Sequence, residues 1–247
     1  MINNKKILVV ITARAGSKGV VGKNYKKLLD KPLFIWSVLA ALKSKYIDRV
    51  VISSNCVEVK KYYLDFAYKN GKNLLEKLYW VERPDKYAMD NSKNEEALIH
   101  SYKIIKEDLN FDADIIVNLQ PTSPCRLNNL IDKCIEQYNE GGHDSLLTAN
   151  KDTPFLWKYK NKKWVYMDEN CCNRKMRQEI NEDEFIYHDN GNVYMTDSNI
   201  LLESECRIGY NPCIYETKEI NSLQIDTEFD FQLIEKIIEN KKIKSLI

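Results

Sequence analysis

Apolar residues fall into short β-branched runs, separated by stretches in which they recur every three or four positions. Ile7-Leu8-Val9-Val10-Ile11 is continuous, the pattern of a strand covered on both faces of a parallel sheet. A polar, glycine-bearing stretch over residues 12–24 follows. Pro32 then opens a helix whose Ile35, Val38, Leu39 and Leu42 fall at i, i+3, i+4 and i+7. Val50-Val51-Ile52 predicts a second strand ending in Ser53-Ser54-Asn55, and a helix runs on to about Asn70. Residues 78–81 read as a strand, 93–106 as a helix and 114–119 as the next strand. That strand breaks into Gln120-Pro121-Thr122-Ser123-Pro124, a turn neither helix nor strand crosses. Leu127, Leu130, Ile131, Cys134, Ile135 and Tyr138 mark one face of another helix, and residues 145–149 a further strand. This alternation over residues 7–150 predicts an α/β fold, a doubly wound, mostly parallel sheet with helices on both faces.

The rhythm stops over residues 150–187, which are polar and aromatic, with Trp157, Tyr159, Trp164 and Tyr166 and no clear period. Such a segment inside an α/β domain reads as a lid or as an arm that packs on a partner. Alternation returns at Asn192-Val193-Tyr194-Met195. The chain closes with a helix over about residues 228–240, carrying Phe229, Leu233 and Ile237 on one face. No repeat or inter-domain linker interrupts residues 1–247, so a single domain with 150–187 as an excursion is expected.

Composition changes this picture little. Of 247 residues, 44% are hydrophobic and 30% charged, which excludes a disordered or collagen-like chain. No run of about eighteen apolar residues marks a spanning helix, and the N-terminus lacks the apolar stretch of a signal peptide. A cytoplasmic protein is expected. The seven cysteines (56, 125, 134, 171, 172, 206 and 213) lack the C-x-x-C spacing of a structural zinc site, and neighbouring Cys171 and Cys172 are poor disulfide partners. Reduced thiols follow from that setting. His100, His143 and His188 are too scattered for a histidine metal site.

Charge is more informative. The net charge of +1 hides a gradient, because residues 1–80 hold 16 Lys/Arg against 5 Asp/Glu and the remainder is correspondingly acidic. A basic first third suits a small polyanion. The near-neutral total, without a dense basic stripe, argues against nucleic acid.

The bases concentrate in Arg14-Ala15-Gly16-Ser17-Lys18-Gly19-Val20-Val21-Gly22-Lys23-Asn24, directly after the first strand. In open α/β sheets ligands bind at that carboxyl edge. Glycines let the backbone turn and aim N–H groups at phosphate oxygens, and Arg14, Lys18 and Lys23 supply cations solvated until a ligand arrives. Two familiar loops do not fit. A Walker A loop needs glycine six places before its lysine and Ser or Thr after it, where this chain has Ser17 and Asn24. The dinucleotide fingerprint G-x-G-x-x-G is absent as well, since the spacing is G-x-x-G-x-x-G.

A-R-x-G-S-K-G-x-x-x-K-N after the first strand resembles the signature of the CMP-acylneuraminate synthetases, cytidylyltransferases of nonulosonic acids. The resemblance continues in order through Lys31-Pro32-Leu33, Val51-Ile52-Ser53-Ser54, Arg83-Pro84, Leu119-Gln120-Pro121-Thr122-Ser123-Pro124-Cys125-Arg126, Arg177-Gln178, Asn190-Gly191-Asn192-Val193-Tyr194 and Ile225-Asp226-Thr227. It spans about residues 7–238. It implies the fold of the nucleotide-diphospho-sugar transferases, a homodimer with an exchanged arm, and Mg²⁺-dependent transfer of CMP from CTP to the anomeric hydroxyl of a sugar acid. It further implies that Arg14, Lys18 and Lys23 hold the CTP phosphates on a loop that includes Ala15, Gly16 and Ser17. Asn24, Arg83 and Asn94 would contact the nucleoside. Gln120, with Thr122 and Ser123, would lie beside the acceptor, and Lys158, Arg177, Gln178 and His188 on the sugar side. Asp226 matches a magnesium-binding aspartate, so Arg14, Lys23 and Asp226 would form the catalytic set.

Three positions depart from the family pattern: Gln224 stands where an acid often precedes I-D-T, His188 where an Arg often precedes N-G, and Ala15 where the loop usually has Gly. The residues also allow plainer roles, since Asp before Thr and a helix can be a capping element and a lone Arg177 a surface ion-pair residue. Other readings are a cytidylyltransferase for 3-deoxy-octulosonate or a phosphonate, a dinucleotide-dependent oxidoreductase, and a nucleotide-binding sensor.

Overall fold

A computed structural model describes residues 2–71, 74, 76–167 and 175–240. Cys171 and Cys172 lie outside the described residues. The continuous apolar run becomes β1 (Ile7–Thr12), with Ile7 to Ile11 completely buried. Parallel to it on one side lie β4 (Arg49–Ser54) and then β5 (Leu78–Glu82), and on the other β6 (Ile115–Leu119). Between β1 and β4 come the short hairpin β2 (Lys27–Leu28) and β3 (Lys31–Pro32) and helix α1 (Leu33–Lys43), which Pro32 caps. Helices α2 (Val57–Asn70) and α3 (Asn94–Leu109) make the next crossovers. After β6 come α4 (Leu130–Glu140) and β7 (Ser145–Asp152).

The excursion forms a separate antiparallel hairpin, β8 (Trp157–Lys160) and β9 (Lys163–Tyr166), followed by single turns of 3₁₀ helix at Arg177–Glu179 and Glu182–Glu184. The chain re-enters the sheet as β10 (Ile186–Asp197), then adds α5 (Ser198–Ser204), β11 (Pro212–Glu216) and α6 (Glu228–Glu239). The sheet order is β11-β7-β10-β6-β1-β4-β5, and within it only β10 runs against the others.

Strand β1 alternates between two cores. Ile7, Val9 and Ile11 pack with residues of α1, α2 and α4, while Leu8 and Val10 pack with Leu98, Tyr102 and Ile105 of α3 and Leu201 of α5. The doubly wound expectation is therefore met. One detail is corrected. In α6 the buried stripe is Phe231, Ile234 and Ile238, not Phe229, Leu233 and Ile237; Phe229 is 71% exposed. The buried stripe closes a third apolar cluster with Val20, Leu28, Leu33, Trp36 and Ile225, and so seats the helix beside the glycine loop.

Candidate active site

The chain steps outward from β1 to β4 and β5, then returns to lay β6 on the other side of β1. At such a reversal the loops leaving the two neighbouring strands part and leave a crevice. The glycine loop leaves β1 and the Gln120-Pro121-Thr122 turn leaves β6, so both border it. The crevice encloses about 700 Å³, and Arg14, Ser17, Lys18, Lys23, Asn24, Arg83, Asn94, Gln120 and Thr122 all line it. Nine residues named from the sequence thus converge.

The loop holds its shape through its own polar groups. Gly16 adopts φ +79°, a left-handed conformation that costs a side-chain-bearing residue energy. The Ala15 N–H donates to Asn55 Oδ1 at 2.9 Å, and buried Asn24 donates from Nδ2 to the Arg14 carbonyl at 2.8 Å. Gly19 lies so close to the Asp226 carbonyl that a Cβ there would collide with it.

The cations are already engaged, contrary to the expectation that they stand free in water. Arg14 donates from Nη1 and Nη2 to Asp90 Oδ1, each at 3.0 Å, and from Nη1 to the Ala88 carbonyl. Lys18 Nζ lies 2.6 Å from the other oxygen of Asp90. Lys18 and Arg14 together hold the Asp90 carboxyl below the usual carboxylate range. Lys23, with only 12% of its side chain exposed, donates to the Ile225 carbonyl at 2.6 Å and to Asp226 Oδ1 at 3.2 Å. Asp226, two-thirds exposed, is thereby placed beside the loop although it lies over 200 residues away in the chain. Thr227 after it caps α6, its Oγ1 accepting from the Asp230 N–H.

Arg83 is buried, donating from Nε to Ser53 Oγ and from Nη2 to the Ser53 carbonyl. Burial, with Arg14 adding to it, lowers its pKa to about 10, so it remains a cation at neutrality. Behind the Gln120-Pro121-Thr122 turn, Arg126 is 3% exposed and spends all five N–H groups on neutral acceptors. Nε and Nη2 reach the Asn192 carbonyl, Nη2 the Gln120 carbonyl, and Nη1 the Ser123 carbonyl and Ser37 Oγ. Burial pushes its pKa down to about 9. Arg126 thus ties the Q-P-T-S-P turn to β10. Asp90 was not singled out from sequence, and Arg126 was named there only as the end of a motif, without a role. Asp90 carried no signal, being one acid in a polar loop. Arg126 closes the Q-P-T-S-P-x-R motif between two apolar residues, a sign of burial.

The remaining named residues lie elsewhere. Ser123 is fully buried behind the turn. His188, on β10, sits 3.3 Å from Asp152 and lines a second cavity of about 820 Å³ with Asn190 and Gln224. Gln224 donates from Nε2 to the Asn190 carbonyl. Lys158, on β8, and Arg177 and Gln178, in a 3₁₀ turn, are exposed on the excursion and line neither cavity.

A glycine-bearing cationic loop at a sheet reversal suits a polyanionic ligand, and comparison with known proteins narrows it. Residues 8–70, which contain the whole loop, match the family model described as cytidylyltransferase. The chain is 29% identical over 247 residues to CMP-N,N'-diacetyllegionaminic acid synthase of Legionella pneumophila, covering 95% of this chain and 97% of that protein. It is 28% identical over 243 residues to N-acylneuraminate cytidylyltransferase of Escherichia coli, covering 96% of this chain. The chain is thus similar to the cytidylyltransferases, and among them to the CMP-nonulosonic acid synthetases.

The protein is a nucleotidyltransferase enzyme. It spans 53% of the length of the E. coli relative. Its fold matches that of a solved CMP:2-keto-3-deoxy-manno-octonic acid synthetase, with a TM-score of 0.63 at 13% identity over 96% of this chain and 99% of that one. Among the described residues no helix is long and apolar enough to cross a membrane.

Proposed function

We propose that the protein transfers CMP from CTP to the anomeric hydroxyl of a nonulosonic acid of the N-acetylneuraminate, legionaminate or pseudaminate type, releasing pyrophosphate. The observation that carries this reading is the crevice between β1 and β6, with Arg14, Lys18 and Lys23 on one wall and Gln120 and Thr122 on the other. A triphosphate on the first wall meets an acceptor against the second. The acceptor's hydroxyl oxygen bonds to the α-phosphorus, and the bridging oxygen leaves with pyrophosphate. Negative charge builds on the phosphate oxygens, where fixed cations stabilise it most. Arg14 and Lys18 exchange Asp90 for phosphate oxygens in this step. Arg83 and Asn94 face the nucleoside. Asp226, held by Lys23, would take the hydroxyl proton.

Mg²⁺ fits this set. The ion favours one or two carboxylates together with phosphate oxygens and water. Among the described residues no group of three His, Cys, Asp or Glu side chains competes for a protein-only metal site. Asp226 would hold it as a single carboxylate, because Gln224, an amide, stands where a second acid would. When bound, the ion neutralises charge on the transferring and leaving phosphates. Pyrophosphate release is expected with CTP in preference to ATP, GTP or UTP, and is expected to stop in EDTA. A coupled pyrophosphate assay over a panel of keto-sugar acids checks this; undiminished activity in EDTA, or a preference for ATP, sinks the reading.

A cytoplasmic homodimer completes the proposal. The β8–β9 hairpin packs Trp157 against Tyr166 and Tyr159 against Trp164 in tilted pairs, with ring centroids 5.0 Å apart in both. Trp157 and Trp164 are nonetheless 55% and 69% exposed, and aromatic area of that size is enriched at interface cores. Lys158, Arg177 and Gln178 ride on the same excursion and line neither of the two cavities described above, which supports their serving the partner's crevice. Sedimentation at micromolar concentration is expected to give a dimer, and Trp157→Ser with Trp164→Ser a monomer. A monomeric wild type counts against it.

A further inference from the structure

Asn118 lies on β6, 1% exposed, with its side-chain amide fixed between two partners. Its Nδ2 donates to the backbone carbonyl of Val10 at 3.1 Å, and its Oδ1 accepts from Asn94 Nδ2 at 2.7 Å. The Val10 carbonyl has no hydrogen to give, so Asn118 must face it with nitrogen. That leaves oxygen for Asn94, which must answer with its own nitrogen. A side-chain amide otherwise turns through half a revolution and exchanges donor for acceptor. Here the exchange is blocked in two stages by a main-chain group of β1. Asn94, the first residue of α3, lines the crevice, and its Oδ1 accepts from no group among the described residues.

We propose that Asn118 is a positioning residue that locks the Asn94 amide with its oxygen toward the nucleotide, so that the crevice selects for a hydrogen-bond donor at that point. The inference rests on the nucleotide reading given above. Arg83 in the same crevice can only donate, so Asn94 supplies the acceptor that Arg83 cannot. A cytidine nucleotide offers donors of two kinds, the ribose hydroxyls and the exocyclic amine of the base. Removing either hydroxyl, or replacing the amine by the carbonyl of uridine, separates the sources.

The test is calorimetric binding of CTP, 2′-deoxy-CTP, 3′-deoxy-CTP and UTP to the full chain and to Asn118→Ala, Asn94→Leu and the double variant. Wild type is expected to bind CTP about tenfold or more tightly than the one analogue that lacks the recognised donor. Asn118→Ala brings that single ratio close to one and leaves the other two ratios as they were. Asn94→Leu does the same, and the double variant goes no further. If Asn118→Ala does not fold, Asn118→Ser serves, since its hydroxyl can still donate to Val10 but is too short to reach Asn94. An equal loss for all four nucleotides in the Asn118 variants overturns the inference, because a merely structural amide would act that way. Wild type that discriminates against none of the three analogues overturns it too. Absence of any nucleotide binding by wild type removes the nucleotide reading itself, and is seen before any variant is made.

Discussion

Arg14→Ala is expected to lower the rate of pyrophosphate release by about two to three decades while the melting temperature holds. The side chain is one-third exposed, and its partners Asp90 and the Ala88 carbonyl can turn to water when it is gone. Exposed ion pairs of this kind contribute at most about 1 kcal/mol to stability. A cation aimed at charge that develops in the transition state is worth roughly 2–4 kcal/mol, which sets the size of the rate loss. Lys23→Ala should behave differently: it loses rate and also unfolds more easily, because Lys23 is nearly buried and holds the Ile225 carbonyl. Steady-state kinetics beside thermal melts separate the two. A full rate in Arg14→Ala refutes the loop's part in catalysis.

The largest effect on stability is expected at Arg126. Arg126→Met keeps most of the volume but strips partners from the carbonyls of Gln120, Ser123 and Asn192 and from the Ser37 hydroxyl. Each buried acceptor left bare costs about 1–3 kcal/mol, so the total should reach on the order of 3–5 kcal/mol. For a chain of this size that lowers the melting temperature by roughly 10 °C. Arg126→Lys should recover less than half, because three donors on a point cannot serve acceptors that a planar fork reaches. Urea unfolding of both variants checks the order, and an unshifted midpoint in Arg126→Met rules the argument out.

The sheet was legible because its central strands are buried on both faces. Ile7 to Ile11 and residues 114–119 have no polar alternation to confuse with helix, and the helices between them keep a clear period. What stayed hidden has physical reasons. Strand β11 begins with Pro212 and ends with Glu216, pairs on one side only, and looks like a loop. Helix α5 is seven residues long and too short to show a period. Helix α6 carries Phe229, Phe231, Leu233, Ile234, Ile237 and Ile238, enough for two stripes, and only packing against Val20 and Ile225 decides between them.

In the site, the loop cations were legible because three bases and three glycines sit within eleven residues. Their engagement by Asp90 was not, since that contact spans 76 residues in the chain. Nor could the sequence show that Asn118, which reads as one more position in an apolar strand, holds the orientation of Asn94. Such a relay depends on a main-chain oxygen, and a main-chain oxygen has no letter in the sequence.

Strand β10 sits between β6 and β7 and has consequences for how the chain assembles. Through β6 the protein is a series of parallel crossovers, β4 and β5 each closing on the strand made before it and β6 returning to β1. β7, made next, finds no place in the sheet until β10 emerges to bridge it, and β11 can add only to β7. A nascent chain that has reached residue 185 therefore carries β6 as a bare, apolar edge, the kind of surface that pairs with other chains or calls for a chaperone. Lys23 meanwhile waits for Ile225 and Asp226, so the first loop to be synthesised is among the last to be finished.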